Sequence, residues 1–267
     1  MVNFYADFTN LCSETLASGN DIDRSALQRS CLAVYAYKWA AQSAIHHYNA
    51  PASKVKVVEF GANVDNPPCL DDILCALQRR ALDNCQLLFV GVDWFRKGGP
   101  KALAVADLLN KRGLYTELHV VGCVPPKPWP SFLRSHGFIS KGTESGRKRL
   151  HQLFLSSHFF FMPTLAECYG LVFAEASAYG VPSLASDVGG VCSAINNGLN
   201  GWTLPVDATA EQYCQIVEAL MASPKSYRSV ALSCFKEYNA RLNWQSAASS
   251  VVALLDMFCR STNSRNT

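Results

Sequence analysis

From Gln86 onward the apolar and polar positions fall into blocks of two kinds, in regular alternation. "QLLFVGV" is a short apolar run of the kind that forms a buried parallel strand. "GGPKALAVADLLNKRG" carries apolar residues at helical spacing, with Pro100 in its first turn and Gly113 at its end. "YTELHVVG" predicts the next strand and "GFIS" a short one. "ESGRKRLHQLFLSS" predicts a helix, and "HFFFMP" a strand closed by Pro163. "YGLVFAEASAYG" predicts a helix ended by Gly180, followed by a strand in "VPSLAS" and a turn and last strand in "LNGWTLPV". Residues 208–222, 224–239 and 244–259 have helical periodicity. Strands and helices alternating through short connections predict an α/β fold, a doubly wound parallel sheet.

The first 85 residues follow a different pattern. "CLAVYAY" and "VKVVEF" predict two strands around a helix in "KWAAQSAIHHY", and "GANVDNPP" a turn and linker. One strand–helix–strand unit cannot bury both faces of its own sheet, so residues 1–60 are expected to be the tail end of another, partial domain.

Composition narrows the class of protein. Of 267 residues, 49% are hydrophobic and 17% charged, which suits a globular chain and excludes overall disorder. A net charge of +3 is too small to indicate nucleic acid, and the cluster Arg147-Lys148-Arg149 reads as a solvated helix face. The eleven cysteines are irregularly spaced, with no C-x-x-C, and Cys123, Cys214 and Cys234 sit in apolar runs. They read as reduced thiols in a cytoplasmic protein, with neither a disulfide frame nor a zinc site. "MVNFYADFTNLC" lacks the pattern of a signal peptide, and no apolar run approaches the ~20 residues of a bilayer span.

Ligands of open α/β sheets bind beyond the carboxyl ends of the strands. Three segments are placed there: "DWFRKGG" (93–99), "GFISKG" (137–142) and "PTLAECYGLVFAE" (163–175). In the third, Gly170 opens a helix, and the N–H groups of Gly170, Leu171 and Val172 are free to meet an anion such as a phosphate. Glu167 lies in the loop before that helix and Glu175 in its second turn. Within one helix, positions i and i+8 lie roughly 80° and ~12 Å apart. With Glu167 still in the loop, the two carboxylates could flank one elongated ligand. Carboxylates accept hydrogen bonds only, so their partners would be hydroxyls, as on sugars and riboses. On spacing alone, negative charge at a helix start accounts for both glutamates. The company of Lys97 and the glycine-led helix favours a ligand site. Lys97, after the first strand of this region, can neutralise a diphosphate as a point charge, with Arg96 beside it. Gly189-Gly190 reads equally as a second phosphate-proximal loop or a tight turn.

The stretch "PTLAECYGLVFAEASAYGVPSLASDVGGVCSAINNGLNGWTLP" resembles the signature region of family 4 retaining glycosyltransferases, which have the two-domain GT-B fold. The likeness rests on the E-x7-E pair Glu167 and Glu175, on Gly170, on Gly-Val-Pro at 180–182, on Gly189-Gly190 and on the Asn-Gly turn at 200–201. "LLFVGVDWFRKGG" resembles that family's first strand and phosphate loop, and "VKVVEFGANVD" its interdomain hinge. The resemblance implies a Rossmann-like, GT-B C-terminal domain. Residues 1–62 would be a remnant of the N-terminal acceptor domain, 63–85 a linker and first helix, 86–240 the nucleotide-sugar-binding domain and 241–267 a C-terminal helix.

It further implies that Glu175 binds the donor ribose, that Glu167 contacts the transferred sugar, and that both Glu167 and Lys97 act in catalysis. Lys97, Arg96 and the amides of Gly170, Leu171 and Val172 would hold the diphosphate. Phe138, Ile139 and Ser140 would present backbone groups to the base. The substrate would be a nucleoside-diphosphate sugar of UDP or GDP type, with no cofactor and no obligatory metal. The acceptor would be a glycan, a lipid or a small molecule, and the protein cytoplasmic, free or peripheral at a membrane.

Two departures stand out. Gly91 is followed by Val92 and Asp93 where the family often carries an arginine, with Arg96 the candidate to compensate. The acceptor half is mostly absent, and His46 and His47 do not match the family's histidine near the reacting sugar. "DID" at 21–23 is the D-x-D metal pattern of another glycosyltransferase architecture, set here in a polar stretch without a preceding strand. "GTESGRKR" at 142–149 breaks P-loop spacing, and neither G-x-S-x-G nor G-x-G-x-x-G occurs. The alternative to a transferase is a non-catalytic nucleotide-sugar-binding module or an inactive fragment.

Overall fold

The computed structural model describes residues 13–263, with side chains from 18 to 260. By its internal contacts the chain divides after Val58. In the first unit, helix α1 (Ser13–Arg29) precedes strand β1 (Ala33–Tyr35), helix α2 (Lys38–His47) and strand β2 (Val55–Val57), and the two strands pair in parallel. Its core gathers Leu27, Ala41, Ala44, Ala50 and Val55, with Tyr35 and Tyr48 packed against them. The helix α1 is absent from the sequence expectation. It is polar on average, and among its described side chains Leu27 joins the core. The D-x-D pattern lies inside it: Asp21 is exposed and pairs with Arg24 one turn on, while Asp23 is half-buried and accepts from the Tyr48 hydroxyl at 3.4 Å, so the two carboxylates are engaged in separate contacts within this unit.

The second unit opens with helix α3 (Leu70–Arg79). It continues through β3 (Asn84–Val90), α4 (Gly99–Lys111), β4 (Tyr115–Val121), β5 (Leu133–Ser135), α5 (Glu144–Ser156) and β6 (Phe159–Met162). Then come α6 (Leu171–Ala178), β7 (Ser183–Ser186), α7 (Val191–Ala194), β8 (Gly201–Leu204), α8 (Ala210–Met221), α9 (Pro224–Ala240) and α10 (Trp244–Asn263). The predicted doubly wound α/β architecture is what forms: a six-stranded parallel sheet in the order β5-β4-β3-β6-β7-β8. The edge strand differs, and a short helix, α7, follows the Gly189-Gly190 turn. "GFIS" is a loop, and the edge strand lies just before it at Leu133–Ser135, paired with Leu118–Val120. Gly137 takes a φ of 62°, which breaks the extended run at that point.

The apolar blocks become strands because both faces of the sheet are covered. Phe159 to Met162 are all fully buried. Successive strand residues point to opposite faces. Accordingly Phe160 packs on Phe173 of α6, with ring centroids 5.5 Å apart, while Phe161 packs on Tyr213 of α8 at 5.0 Å. Right-handed crossovers produce the same division of helices between the faces.

Two features of this fold place the site. Strands β3, β4 and β5 run outward on one side, then the chain returns to lay β6 beside β3 and runs outward the other way. The order therefore reverses between β3 and β6, and the loops leaving those two strands are neighbours at the carboxyl edge. The opposite ends of α5 and α6 are pinned by Arg80, which is 5% exposed. It donates to the carbonyls of Leu155, Tyr179 and Gly180 at 3.0, 3.0 and 2.8 Å. A guanidinium at two helix C-termini meets the negative ends of their dipoles. Both helices are thereby held with their N-terminal turns at the carboxyl edge.

Candidate functional site

The loop after β3 is built to hold a lysine. The Asp93 carboxylate accepts from the amides of Phe95 and Arg96 at 3.1 and 3.0 Å and closes a tight turn. Gly98 ends that turn at φ 81°, with its α-carbon against the residue that follows β6: a Cβ there would lie 1.9 Å from the Pro163 carbonyl oxygen. The two loops at the reversal point are also laced together by Arg96. Its carbonyl accepts from the Leu165 amide at 2.8 Å and the Thr164 hydroxyl at 3.2 Å, and its guanidinium donates to the Ala166 carbonyl at 3.1 Å. The guanidinium is also 3.5 Å from Asp93. The sequence suggested Arg96 for a diphosphate. Its contacts here are with backbone and Asp93.

This lacing brings Lys97 and Glu167 into an ion pair, each side chain only 13% exposed. The Lys97 stem lies over Gly91, where a Cβ would come within 2.9 Å of its Cγ. Glu167 also accepts from the Cys168 amide at 3.2 Å. Gly170 then takes φ 78° as the residue that opens α6. A side chain on it would meet the Phe173 ring at 2.5 Å and Glu167 Cγ at 3.3 Å. The Phe173 amide is taken up by the Gly170 carbonyl at 2.9 Å, and the amides of Gly170, Leu171 and Val172 stand in the first turn, ahead of the intrahelical ladder. Lys97, Glu167 and the mouth of α6 are thus brought together. The Gly189-Gly190 turn supports the same loop from behind, its Gly190 amide donating to the Cys168 carbonyl at 2.8 Å.

Glu175 is placed differently. It lies in the second turn of α6, 3% exposed, and is paired with Lys141 at 2.5 Å rather than with Lys97. Burial raises its carboxyl above the ordinary glutamate value, and Lys141 and a hydrogen bond from the Asn63 backbone act in the opposite direction. Its negative charge in turn adds to burial in raising the Tyr179 phenol. Glu175 and Lys141 line a cavity of about 800 Å³ together with Asn63, Asp65, Arg147 and Tyr179. Lys97 and Glu167 are not among its walls. The two glutamates therefore serve two adjoining regions of one edge, each with its own lysine.

The predicted base-contacting loop adjoins this cavity. Phe138 is 74% exposed, and Ile139 and Ser140 are half-buried. The Ser140 carbonyl accepts from the Thr143 hydroxyl at 3.3 Å and lies against Gly146, so it helps start α5. Lys141 and Asn63 lie inside the quoted segments "GFISKG" and "GANVDNPP", but the sequence expectation gives neither a role. Nothing local in the sequence shows that the Lys141 ammonium reaches another helix. Among the described residues no group of three or more His, Cys, Asp and Glu side chains is placed to hold a metal ion.

Residues 83–232, more than half of the chain, match the family model described as glycosyl transferases group 1. The chain belongs to that family. Among curated relatives of this group 1 chain is a D-inositol 3-phosphate glycosyltransferase of Streptomyces scabiei, 29% identical over 173 residues, which are 59% of this chain and 39% of the relative. The chain thus spans well under half the length of that relative. Among solved structures, sucrose-phosphate synthase from Thermosynechococcus elongatus superposes with a TM-score of 0.70 at 18% identity, covering 97% of this chain and 66% of the other. Anabaena HepE, solved in complex with UDP, gives a TM-score of 0.70 at 15% identity, over 93% of this chain and 69% of that one. These likenesses show the GT-B-type, Rossmann-like fold. No helix among the described residues is long and apolar enough to cross a membrane.

Proposed function

We propose that this group 1 chain is the donor-binding half of a retaining family 4 glycosyltransferase, acting on a nucleoside-diphosphate sugar. The observation that carries it is the meeting of Lys97, Glu167 and the open first turn of α6 at the reversal point of the sheet, with Glu175 buried one turn further on. A diphosphate placed at that turn would receive the amides of Gly170, Leu171 and Val172 and the Lys97 ammonium. The same groups would stabilise the charge that develops on the leaving diphosphate, which is the work a metal does in other transferases. Lys97 would exchange part of its pairing with Glu167 for the phosphates, leaving that carboxylate to accept from hydroxyls of the transferred sugar.

Glu175 would accept from the ribose hydroxyls, and the nucleoside would extend into the cavity beside the 138–140 loop. The complex of HepE with UDP supports a uridine nucleotide among the candidates. The acceptor, whether glycan, lipid or small molecule, would meet a domain of which residues 1–62 are the end, and the irregular cysteine spacing agrees with a cytoplasmic location.

Calorimetry with UDP-glucose and GDP-mannose tests this. One of them binds the wild type, and Glu175→Ala weakens that binding about 100-fold, as expected for two hydrogen bonds to a charged group at about 1.5 kcal/mol each. Equal affinity in the two proteins removes the ribose contact. Binding without sugar transfer or donor hydrolysis by the full-length protein favours the non-catalytic module.

A further inference from the structure

A carboxylate as buried as Glu175 is costly to keep ionised, because burial strips water from the charged form more than from the neutral one. Ionisation matters to its use. A carboxylate offers acceptor sites on both oxygens, whereas a neutral acid turns one of them into a donor. Two adjacent hydroxyls, each donating, are matched only by the charged form. Among the described residues the cation paired with Glu175 is Lys141, whose side chain is 48% exposed while that of Glu175 is 4% exposed.

Lys141 is held in place by its backbone. Its carbonyl accepts from Arg147 of α5 at 2.9 Å, and Thr143, two residues on, caps α5 by accepting from the Gly146 amide at 3.2 Å. Arg147 is in turn 3.6 Å from Asp65. The other groups about Glu175 carry no compensating charge to it. Tyr179 on its own helix is a phenol held above its ordinary value, and His151 of α5 is engaged with the Tyr179 hydroxyl at 3.3 Å. Glu144 and Lys148, also on the cavity wall, pair with each other at 2.6 Å. Tyr238 of α9 adds only a second phenol behind Tyr179.

We infer that Lys141 is a positioning residue of the donor site, its ammonium keeping Glu175 ionised and aimed so that both carboxylate oxygens receive the two ribose hydroxyls of a nucleoside diphosphate. This rests on the donor-site function proposed above and adds to it a residue that acts through Glu175 rather than on the phosphates. Loss of the ammonium raises the Glu175 carboxyl further. The neutral form then sets in at a higher pH, and affinity for a diol begins to fall at a higher pH than in the wild type.

The test uses the full chain, with UDP and GDP as probes, titrated from pH 8 to pH 5 in wild type, Lys141→Met, Lys141→Gln and Lys141→Arg. The Glu175 carboxyl is followed in parallel by carbon NMR. The Met and Gln variants are expected to bind about 10-fold more weakly at neutral pH, one charge-assisted contact's worth. Their loss of affinity on acidification starts at higher pH, the Glu175 midpoint moves up, and Arg restores both. Wild-type affinity across the pH range in the Met and Gln variants overturns the inference while leaving the donor site standing. So does tighter binding, which would make Lys141 a competitor for Glu175, and so does an unmoved Glu175 midpoint. Failure of the wild type to bind either nucleotide overturns the donor site and this inference with it.

Discussion

The placement of Lys97 depends on one close backbone contact, and Gly98→Ala disturbs it directly. Gly98 has φ 81°, and an added Cβ falls 1.9 Å from the Pro163 carbonyl oxygen and 2.6 Å from its carbonyl carbon. A comfortable carbon–oxygen contact is about 3.4 Å, so one loop must move by roughly 1.5 Å. Two costs add. A non-glycine residue in the left-handed region costs about 1–2 kcal/mol. Forcing apart two packed segments, both buried, costs about 1–3 kcal/mol more. Gly113 supplies the control, since it has φ 91° with nothing within 4 Å of its added Cβ, and Gly113→Ala should carry the first cost alone. Urea unfolding followed by tryptophan fluorescence is a suitable assay, because Trp94 is buried against Gly99. We expect about 2–5 kcal/mol of destabilisation for Gly98→Ala and about 1–2 kcal/mol for Gly113→Ala. For a unit of this size that difference corresponds to several degrees in Tm. Because Lys97 precedes Gly98, the first variant should also lose nucleotide affinity and the second should keep it. Equal destabilisation by the two substitutions would refute the claim that the Gly98–Pro163 approach fixes the phosphate loop.

Two further outcomes follow from the core. His158 is buried and neutral, with Nδ1 accepting from the Gln86 amide at 3.0 Å and Nε2 meeting the Ala81 carbonyl at 3.1 Å. Burial, with Arg80 nearby, lowers its value from 6.5 to about 4. The folded state then binds fewer protons than the unfolded one between these values. Its contribution, about 3 kcal/mol at most, is present above pH 6.5 and is lost as the pH falls toward 4. Urea midpoints at pH 7.5 and 4.5 in wild type and His158→Asn should show this part of the acid sensitivity missing from the variant. Alkylation of the native chain, read by mass spectrometry, should reach Cys31 and Cys75 and spare Cys85, Cys214 and Cys234 until the chain unfolds. Burial raises these last three thiols, Cys214 to about 11.

Local pattern decided the order and kind of the elements from β3 onward, because a strand covered on both faces must be apolar throughout and a helix on its surface must repeat its apolar residues every turn. It also decided which residues could serve an anion and hydroxyls: Lys97 after a strand, Glu167 before a glycine-led helix, and Glu175 within it. Local pattern failed at α1, whose polar sequence carries too little periodicity, and at β5, where "GFIS" was more apolar than the strand that pairs. Tertiary structure alone decided who meets whom. Lys97 and Glu167 are 70 positions apart and touch because the strand order reverses between β3 and β6. Glu175 took Lys141 as its partner because Arg80 fixes α5 and α6 from their far ends, while Arg147 holds the loop before α5. Spacing along a chain reports the neighbours a residue has within its own element. The pairing of charges across elements depends on the path the chain takes through the sheet.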